Sequence, residues 1–265
     1  MGELIAVTGG TGLLGRTVVA RLAEMGTPVR LLSRRPKPTS SPGVQWATVD
    51  LDTGGGLDAA LAGASGIVHC ATAMRGARDA VHAQTLAAAA RRAGCPHVVY
   101  VSIVGIDRIA LSYYRDKLAA EDVFARSGLP YTILRATQFH DLVREMLAAA
   151  ATMPLMLVPG CSFQPVDVRD VAERLVELAM GEPAGRAADM GGPQVLSARE
   201  LARTYLEITG RRRLVATVRV PGRVGRGLRA GANLVPEQRA GAITFEAYLA
   251  ACRKPGGLSY RGQLS

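Results

Sequence analysis

The first fifteen residues constrain this chain more than any other stretch. Leu4–Thr8 is a short apolar run with β-branched residues. Thr8-Gly9-Gly10-Thr11-Gly12-Leu13-Leu14-Gly15 follows it, and Leu14–Met25 then carries apolar residues at helical spacing. Glycines at 9, 12 and 15 spell GxxGxxG between a strand and a helix. Glycine suits these places because the tight turn needs permissive dihedrals, a backbone has to approach a pyrophosphate, and the helix has to pack closely on the strand. The helix N-terminus adds N–H groups and a partial positive charge for phosphates. A glycine triplet alone is a weak signal. Set between strand and helix at the head of an alternating chain, it predicts a dinucleotide site built from Thr8, Gly9, Gly10, Thr11, Gly12, Leu13, Leu14 and Gly15.

The alternation continues. Val29–Ser33 and Val44–Val49 read as strands, Leu57–Leu61 as a short helix and Gly66–Cys70 as a buried strand. Ala77–Ala93 reads as a helix stopped by Gly94 and Pro96, and Val98–Ser102 as a strand. Leu111–Ser127 is a helix stopped by Gly128 and Pro130, and Tyr131–Leu134 is strand again. Strands apolar on both faces, separated by helices, predict an α/β fold: a doubly wound parallel sheet (Rossmann) covered on each side. Past residue 155 the rhythm loosens into short elements rich in Gly and Pro. The expected division is therefore a dinucleotide-binding domain over 1–155 and a smaller α+β substrate lobe over 156–265, interleaved with the sheet. That lobe is expected over the carboxyl edge, where open α/β folds bind ligands.

The end of the second strand selects the dinucleotide. An NAD site would place Asp or Glu there to accept from the ribose 2′-OH. This chain has Ser33-Arg34-Arg35 instead. Two guanidiniums and a hydroxyl suit a 2′-phosphate through charge-assisted hydrogen bonds, so the expected cofactor is NADP(H).

These motifs resemble the short-chain dehydrogenase/reductase superfamily, in its atypical NmrA-like branch, over nearly the whole chain. Besides the glycine turn, the resemblance rests on Asp50-Leu51, Cys70-Ala71-Thr72, Tyr113-Tyr114-Arg115-Asp116-Lys117, the segment Pro165–Ala172 and Gly191-Gly192-Pro193. It implies that Asp50 and Leu51 lie along the adenine, and Ala71 and Thr72 along the ribose and phosphates. Tyr113 and Lys117 are four apart on a predicted helix and so share a face, matching the superfamily's YxxxK. A carbonyl that takes a hydride needs a proton, and a free phenol at pKa ~10 is poorly matched to neutral pH. A neighbouring ammonium stabilises phenolate and improves the match, and the same Lys117 is expected to bind the cofactor by reaching the nicotinamide ribose hydroxyls. Ser102, at the carboxyl end of the fifth strand, completes the superfamily's constellation, although only eleven residues separate it from Tyr113. The alternatives for Ser102 and Tyr113 are a satisfied strand-end hydroxyl and an ordinary packed tyrosine.

Gln138, Phe139 and His140 follow the sixth strand and are read as walls of a substrate pocket, with Met153, Leu155 and Met156 as further apolar lining or core. Asp167 and Asp170 begin a helix and read first as caps. His69, His82 and His97 share no ligand spacing, and no metal site is expected. Cys70, Cys95, Cys161 and Cys252 lie far apart and read as buried small apolar residues in a reducing compartment. A chain of 265 residues buries roughly 70–75% of its unfolded surface and needs no disulfide. No basic-then-apolar leader opens the sequence. Leu147–Cys161, interrupted by Pro154 and Pro159, is shorter than the ~18–20 residues of a membrane span. A soluble, cytoplasmic protein is expected.

The net charge is +10, and of 32 basic residues only Lys37, Lys117 and Lys254 are lysines, which reads as the composition of a GC-rich genome. From Ile208 to Pro236 no acidic residue occurs, while Arg211, Arg212, Arg213, Arg219, Arg223, Arg226 and Arg229 do. The readings of Arg211–Arg229 are a solvated face or salt bridges to distant acids, an acidic substrate or protein partner, and nucleic acid. Interleaved stacking aromatics are missing, which argues against nucleic acid. The expected function is reduction of a small hydrophobic carbonyl, quinone or conjugated alkene by NADP(H). The rivals are a non-catalytic NADP(H) sensor acting through a protein partner, and an epimerase or dehydratase that uses its cofactor transiently.

Overall fold

The computed structural model describes residues 3–36, 44–73, 78–94 and 96–252. Cys95 and the expected helix start at Ala77 lie outside them. In chain order the first elements are β1 (Leu4–Thr8), α1 (Leu13–Glu24), β2 (Val29–Ser33), β3 (Gln45–Thr48), α2 (Leu57–Leu61), β4 (Ala64–His69) and α3 (Asp79–Arg92). Then come β5 (His97–Ile103), α4 (Ser112–Ala125), β6 (Tyr131–Ala136), α5 (His140–Ala150), β7 (Leu155–Pro159), β8 (Ser162–Phe163) and α6 (Val168–Met180). The last are β9 (Gly185–Arg186), β10 (Leu196–Ser197), α7 (Ala198–Thr209), β11 (Leu214–Val218), α8 (Gly222–Arg229) and α9 (Phe245–Cys252).

The chain divides into two compact units. One holds residues 1–102, 112–135 and 172–188; the other holds 103–111, 136–171 and 189–265. Residues 136–155, which the sequence grouped with the first domain, pack with the second unit, and 172–188 pack with the first.

The first unit carries a seven-stranded sheet in the order β3-β2-β1-β4-β5-β6-β9. The pairings of β1 with β2 and β4, of β2 with β3, of β4 with β5 and of β6 with β9 are all parallel. The order reverses between β1 and β4, the switch point at which open α/β sheets bind ligands outside their carboxyl ends. β1 and β5 are buried almost end to end, as expected of strands covered on both faces. Leu32, Ile67, Leu86, Tyr100 and Phe124 anchor one core cluster. Gly94, at φ +95, lets the chain leave α3 in the left-handed region.

The second unit has a smaller core around Val143, Met156, Leu201, Tyr205, Phe245 and Tyr248. Its β7 pairs with β11 in parallel and its β8 with β10 antiparallel. α7 opens with a capping box in which Ser197 accepts from the Glu200 backbone and Glu200 answers the Ser197 backbone. Met156 is buried core, while Met153 and Leu155 stand exposed, so these three do not share one lining surface. Cys70, Cys161 and Cys252 are free thiols and half-buried rather than fully buried. Among the described residues, no helix is long and apolar enough to cross a membrane.

Candidate active site

In the first unit Thr8 pairs in register with Leu32 on one side and His69 on the other, so β1, β2 and β4 end almost level. The glycine turn, the Ser33-Arg34-Arg35 segment and Cys70-Ala71-Thr72 therefore leave the sheet on one edge. Gly9 adopts φ +64, and a Cβ there would stand 2.6 Å from the Ala71 backbone nitrogen. At Gly15 a Cβ would collide with the Gly9 carbonyl, which already accepts the Gly12 N–H at 2.9 Å. Gly10 lies against the Leu31 side chain, Thr11 is half-buried, and Leu13 and Leu14 are buried in the first turn of α1. No side chain caps that helix, so its first N–H groups are available to a phosphate.

Ser33 is buried, and its Oγ accepts the Arg35 N–H at 3.1 Å. Arg34 and Arg35 are exposed, and the Arg35 carbonyl takes the Trp46 indole N–H at 3.1 Å. The Asp50 carboxylate is engaged by its own turn, accepting from Asp52 N at 2.9 Å and Thr53 Oγ1 at 3.1 Å, and Leu51 beside it is buried. Asp52 in turn binds Arg78 and His82, each at 2.8 Å.

The helix α4 contributes the titratable groups. Tyr113 Oη and Thr72 Oγ1 are 2.9 Å apart, and Thr72 Oγ1 donates to Asp79 Oδ2 at 2.9 Å. Because the single Thr72 hydroxyl proton is directed to Asp79, Tyr113 is the donor in their bond. Asp79 also accepts from Ala73 N at 2.6 Å, and its own N–H donates to Asp116 at 2.7 Å. Lys117 is buried one turn along from Tyr113. Its Nζ donates to Tyr100 Oη at 3.0 Å and lies 3.7 Å from Asp79 and 4.6 Å from the centre of the Tyr100 ring. Burial pulls the Lys117 ammonium below its ordinary range, while the Asp79 carboxylate works against that shift. Tyr100 is pushed well above the usual phenol range by burial and the carboxylates around it, so it stays neutral. His69 stacks under Tyr100, binds Thr8 Oγ1 at 2.6 Å and is pushed down by burial to about 3. Burial lifts the Cys70 thiol to about 12, which leaves it inert at neutral pH.

Ser102 is buried, and its Oγ has no hydrogen-bond partner among the described residues. Asp79 and Tyr100 are the members of this constellation that sequence reading missed. An Asp in the first turn of a helix reads as a terminal charge, and a Tyr within a strand reads as core.

The residues read as pocket walls lie in the second unit. His140 is fully buried, packs its ring against Phe245 and Tyr248, and joins Nε2 to the Ile243 carbonyl at 2.9 Å. Gln138 reaches the Asn233 carbonyl at 3.3 Å, and Phe139 forms a backbone bridge with Val166. Asp167 caps α6 by accepting from Arg169 N at 2.9 Å, whereas Asp170 receives Ala242 N and Ile243 N at 2.9 and 3.1 Å. His97 is paired with Thr132 at 2.9 Å. No group of His, Cys, Asp and Glu among the described residues fits a metal ion.

The sequence model of the family described as NAD(P)H-binding matches residues 9–179. A curated relative, the (4-alkanoyl-5-oxo-2,5-dihydrofuran-3-yl)methyl phosphate reductase of Streptomyces griseus, is 31% identical over 215 residues, or 78% of this chain and 74% of the relative. A solved NADPH-dependent quinone oxidoreductase from Escherichia coli, complexed with NADPH, superposes with TM-score 0.81 at 18% identity, over 93% of this chain and 98% of that one. A Citrobacter triphenylmethane reductase complexed with NADP(H) gives TM-score 0.71 at 21% identity, over 92% and 93%. The solved structures show a shared fold, while the family match and the curated relative show descent. The chain therefore belongs to the NAD(P)H-binding family, among relatives that are oxidoreductases and with the architecture that the NmrA-like motifs suggested.

Proposed function

We propose that this chain is an NADP(H)-dependent reductase that delivers a hydride and a proton to a hydrophobic carbonyl, quinone or conjugated alkene. The observation that carries this reading is the bond between Tyr113 Oη and Thr72 Oγ1. It holds a phenol of α4 at the carboxyl end of β4, the strand beside the glycine turn. The residues fit the cofactor: Gly9 and Gly15 let the turn fold tightly on itself and against Ala71, where a Cβ would collide with backbone, and Arg34 and Arg35 offer guanidiniums where an NAD site has a carboxylate.

When bound, NADPH supplies the hydride. On this reading α1 and the glycine turn hold the pyrophosphate, with Asp50, Leu51 and Ala71 alongside the adenine and ribose. Ser102 Oγ is assigned to the acceptor's oxygen. Tyr113 gives its phenolic proton to that oxygen or, in a conjugated alkene that takes the hydride at its β-carbon, to the carbon α to the carbonyl, so the acceptor gains one hydride and one proton. The phenolate left behind is stabilised by the Lys117 charge on the same helix face. Thr72 is hydrogen-bonded to both Tyr113 and Asp79, with Lys117 3.7 Å beyond Asp79, so on this reading a proton returns to Tyr113 through Thr72. The Streptomyces griseus relative is named for a dihydrofuranone and the Escherichia coli structure for quinones. Both are polarised acceptors, which supports the substrate class.

The test is NADPH consumption against quinones, aromatic aldehydes, ketones and enones, with Lys117→Met beside the wild type and cofactor fluorescence recorded in the same samples. Turnover is expected to fall about 10²-fold or more in the variant while NADPH still binds. Tight NADPH binding with no turnover on any acceptor would overturn the reading in favour of a sensor. Arg34→Ala with Arg35→Ala should erase the preference for NADPH over NADH.

A further inference from the structure

The seven arginines between residues 208 and 236 do not behave alike. Arg213 spends its guanidinium on backbone, with Nε to the Ala151 carbonyl at 3.0 Å and Nη1 to the Arg212 carbonyl at 2.7 Å. Arg219, Arg223, Arg226 and Arg229 instead line a single recess of about 420 Å³, with Pro221 and Gly222 as its other walls.

That recess is built by backbone packing. β11 ends at Val218, and Gly222, at φ +71, opens α8 within four residues. Gly225 is the buried residue of α8, and a Cβ there would collide with the Val220 carbonyl. Only glycine lets the Arg219–Pro221 segment lie against the helix. Arg229 then ties the last turn back to that segment, donating Nη1 to the Val220 carbonyl at 2.8 Å. Arg223, Arg226 and Arg229 follow at i, i+3 and i+6 and share one helix face.

Local energetics oppose this arrangement. The eight-residue helix contains three glycines and three arginines with no acid, and like charges at this spacing repel. Elsewhere Arg21, Arg78, Arg92, Arg135, Arg169 and Arg174 are paired with carboxylates. The four recess arginines have no ion-pair partner among the described residues. Converging guanidiniums without counter-charge are completed by an anion. Planar N–H forks match phosphate oxygens bidentately, and the recess contains no aromatic ring on which a base could stack. Its volume exceeds that of a lone phosphate and leaves room for a second phosphoryl group or a small organic body.

We propose that the Arg219–Arg229 recess is a binding site for a small molecule bearing a phosphate monoester or diphosphate. The site stands on these residues alone and does not depend on the reductase reading.

The experiment is calorimetric titration of the full chain, kept saturated with NADPH so that the glycine turn is occupied, with inorganic pyrophosphate at constant ionic strength set by sodium chloride. Wild type is compared with Arg223→Ser/Arg226→Ser, with the milder Arg226→Ser, and with Arg34→Ala/Arg35→Ala. The expected result is one saturable site that weakens at least about tenfold in the double recess variant, weakens less in the single variant, and is unchanged in Arg34→Ala/Arg35→Ala. Circular dichroism on the same samples checks folding, and if the double variant is unfolded the single variant decides. Equal affinity in wild type and the folded recess variants, or loss in Arg34→Ala/Arg35→Ala instead, overturns the proposal. So does binding of polyglutamate or a DNA duplex to a chain that ignores pyrophosphate, because the surface would then serve a macromolecule.

Discussion

Charge is concentrated in two places in this protein, and the two handle it in opposite ways. Inside the first unit, Arg135 and Glu121 form a two-pronged pair at 2.8 and 2.6 Å with side chains only 7% exposed. Lys117 and Asp79 lie 3.7 Å apart at 5% and 1% exposure. In the second unit, Arg219, Arg223, Arg226 and Arg229 stand exposed around a recess without a carboxylate among its lining residues. A buried charge is tolerable only with its opposite beside it, because desolvation costs several kcal/mol per ion. An exposed like-charge cluster is screened by water and salt, so a fold can carry it unpaired. The paired charges are neutralised inside the fold, and the recess arginines face solvent without a carboxylate among the lining residues.

Removing one member of the most buried pair should break this contrast most visibly. Glu121→Gln removes the carboxylate that takes two bonds from the buried Arg135 guanidinium. The expected loss of unfolding free energy is about 3–5 kcal/mol, read from urea denaturation with an unchanged slope. A loss as small as that of an exposed substitution would show that Arg135 reaches solvent, and the comparison would fail at its strongest point.

Asp79→Asn is a sharper probe, because it removes charge while keeping a side chain able to accept from Ala73 N. The expected cost near neutral pH is about 2–3 kcal/mol. Its pH dependence has a definite sign. Burial already holds Lys117 below its ordinary 10.5 in the folded chain, and loss of Asp79 lowers it further. A lysine with a depressed folded pKa weakens the fold while protonated, and stability returns as pH rises through the folded value toward 10.5. The variant's window is the wider one, so its deficit against wild type should narrow between neutral pH and pH 10. A gap that is constant with pH would mean that Asp79 serves only as a backbone cap. Turnover should fall with NADPH affinity unchanged, since the charge being repositioned acts on Tyr113 and its proton.

The same contrast explains what sequence could and could not reveal. The glycine turn was legible because its demands are local: φ +64 at Gly9 and the contact of Gly9 with Ala71 leave no space for a side chain. Strand ends and helix stops were legible for the same reason, through Gly94, Gly128 and Pro130. The Lys117 cluster joins residues 17 and 38 positions away, and no local pattern announces that Tyr100 and Asp79 meet there. The second unit is harder still. β7 pairs with β11 across about sixty residues, and β8 and β10 are two residues each, too short for an alternating pattern to emerge. His140 was read as a pocket residue because it follows a sheet strand; Phe245 and Tyr248, a hundred residues on, enclose it. The arginine run was visible, but the recess that gathers four of its members depends on Gly225 packing against the Val220 carbonyl.

The smallest expected effect tests the unpaired side of the comparison. Arg223→Ala removes one of the converging guanidiniums and touches no buried group. At physiological salt its melting temperature should stay within about 1 °C of wild type. At low salt the Debye length grows from about 8 to about 30 Å and the repulsion among the remaining arginines is felt in full. The variant should then melt slightly above wild type, because a like charge has been removed. Adding pyrophosphate should reverse the order, since a ligand stabilises the chain that binds it more tightly. A variant that melts below wild type at low salt would mean that Arg223 has an attractive partner in the protein, and the recess would then already be neutralised from within.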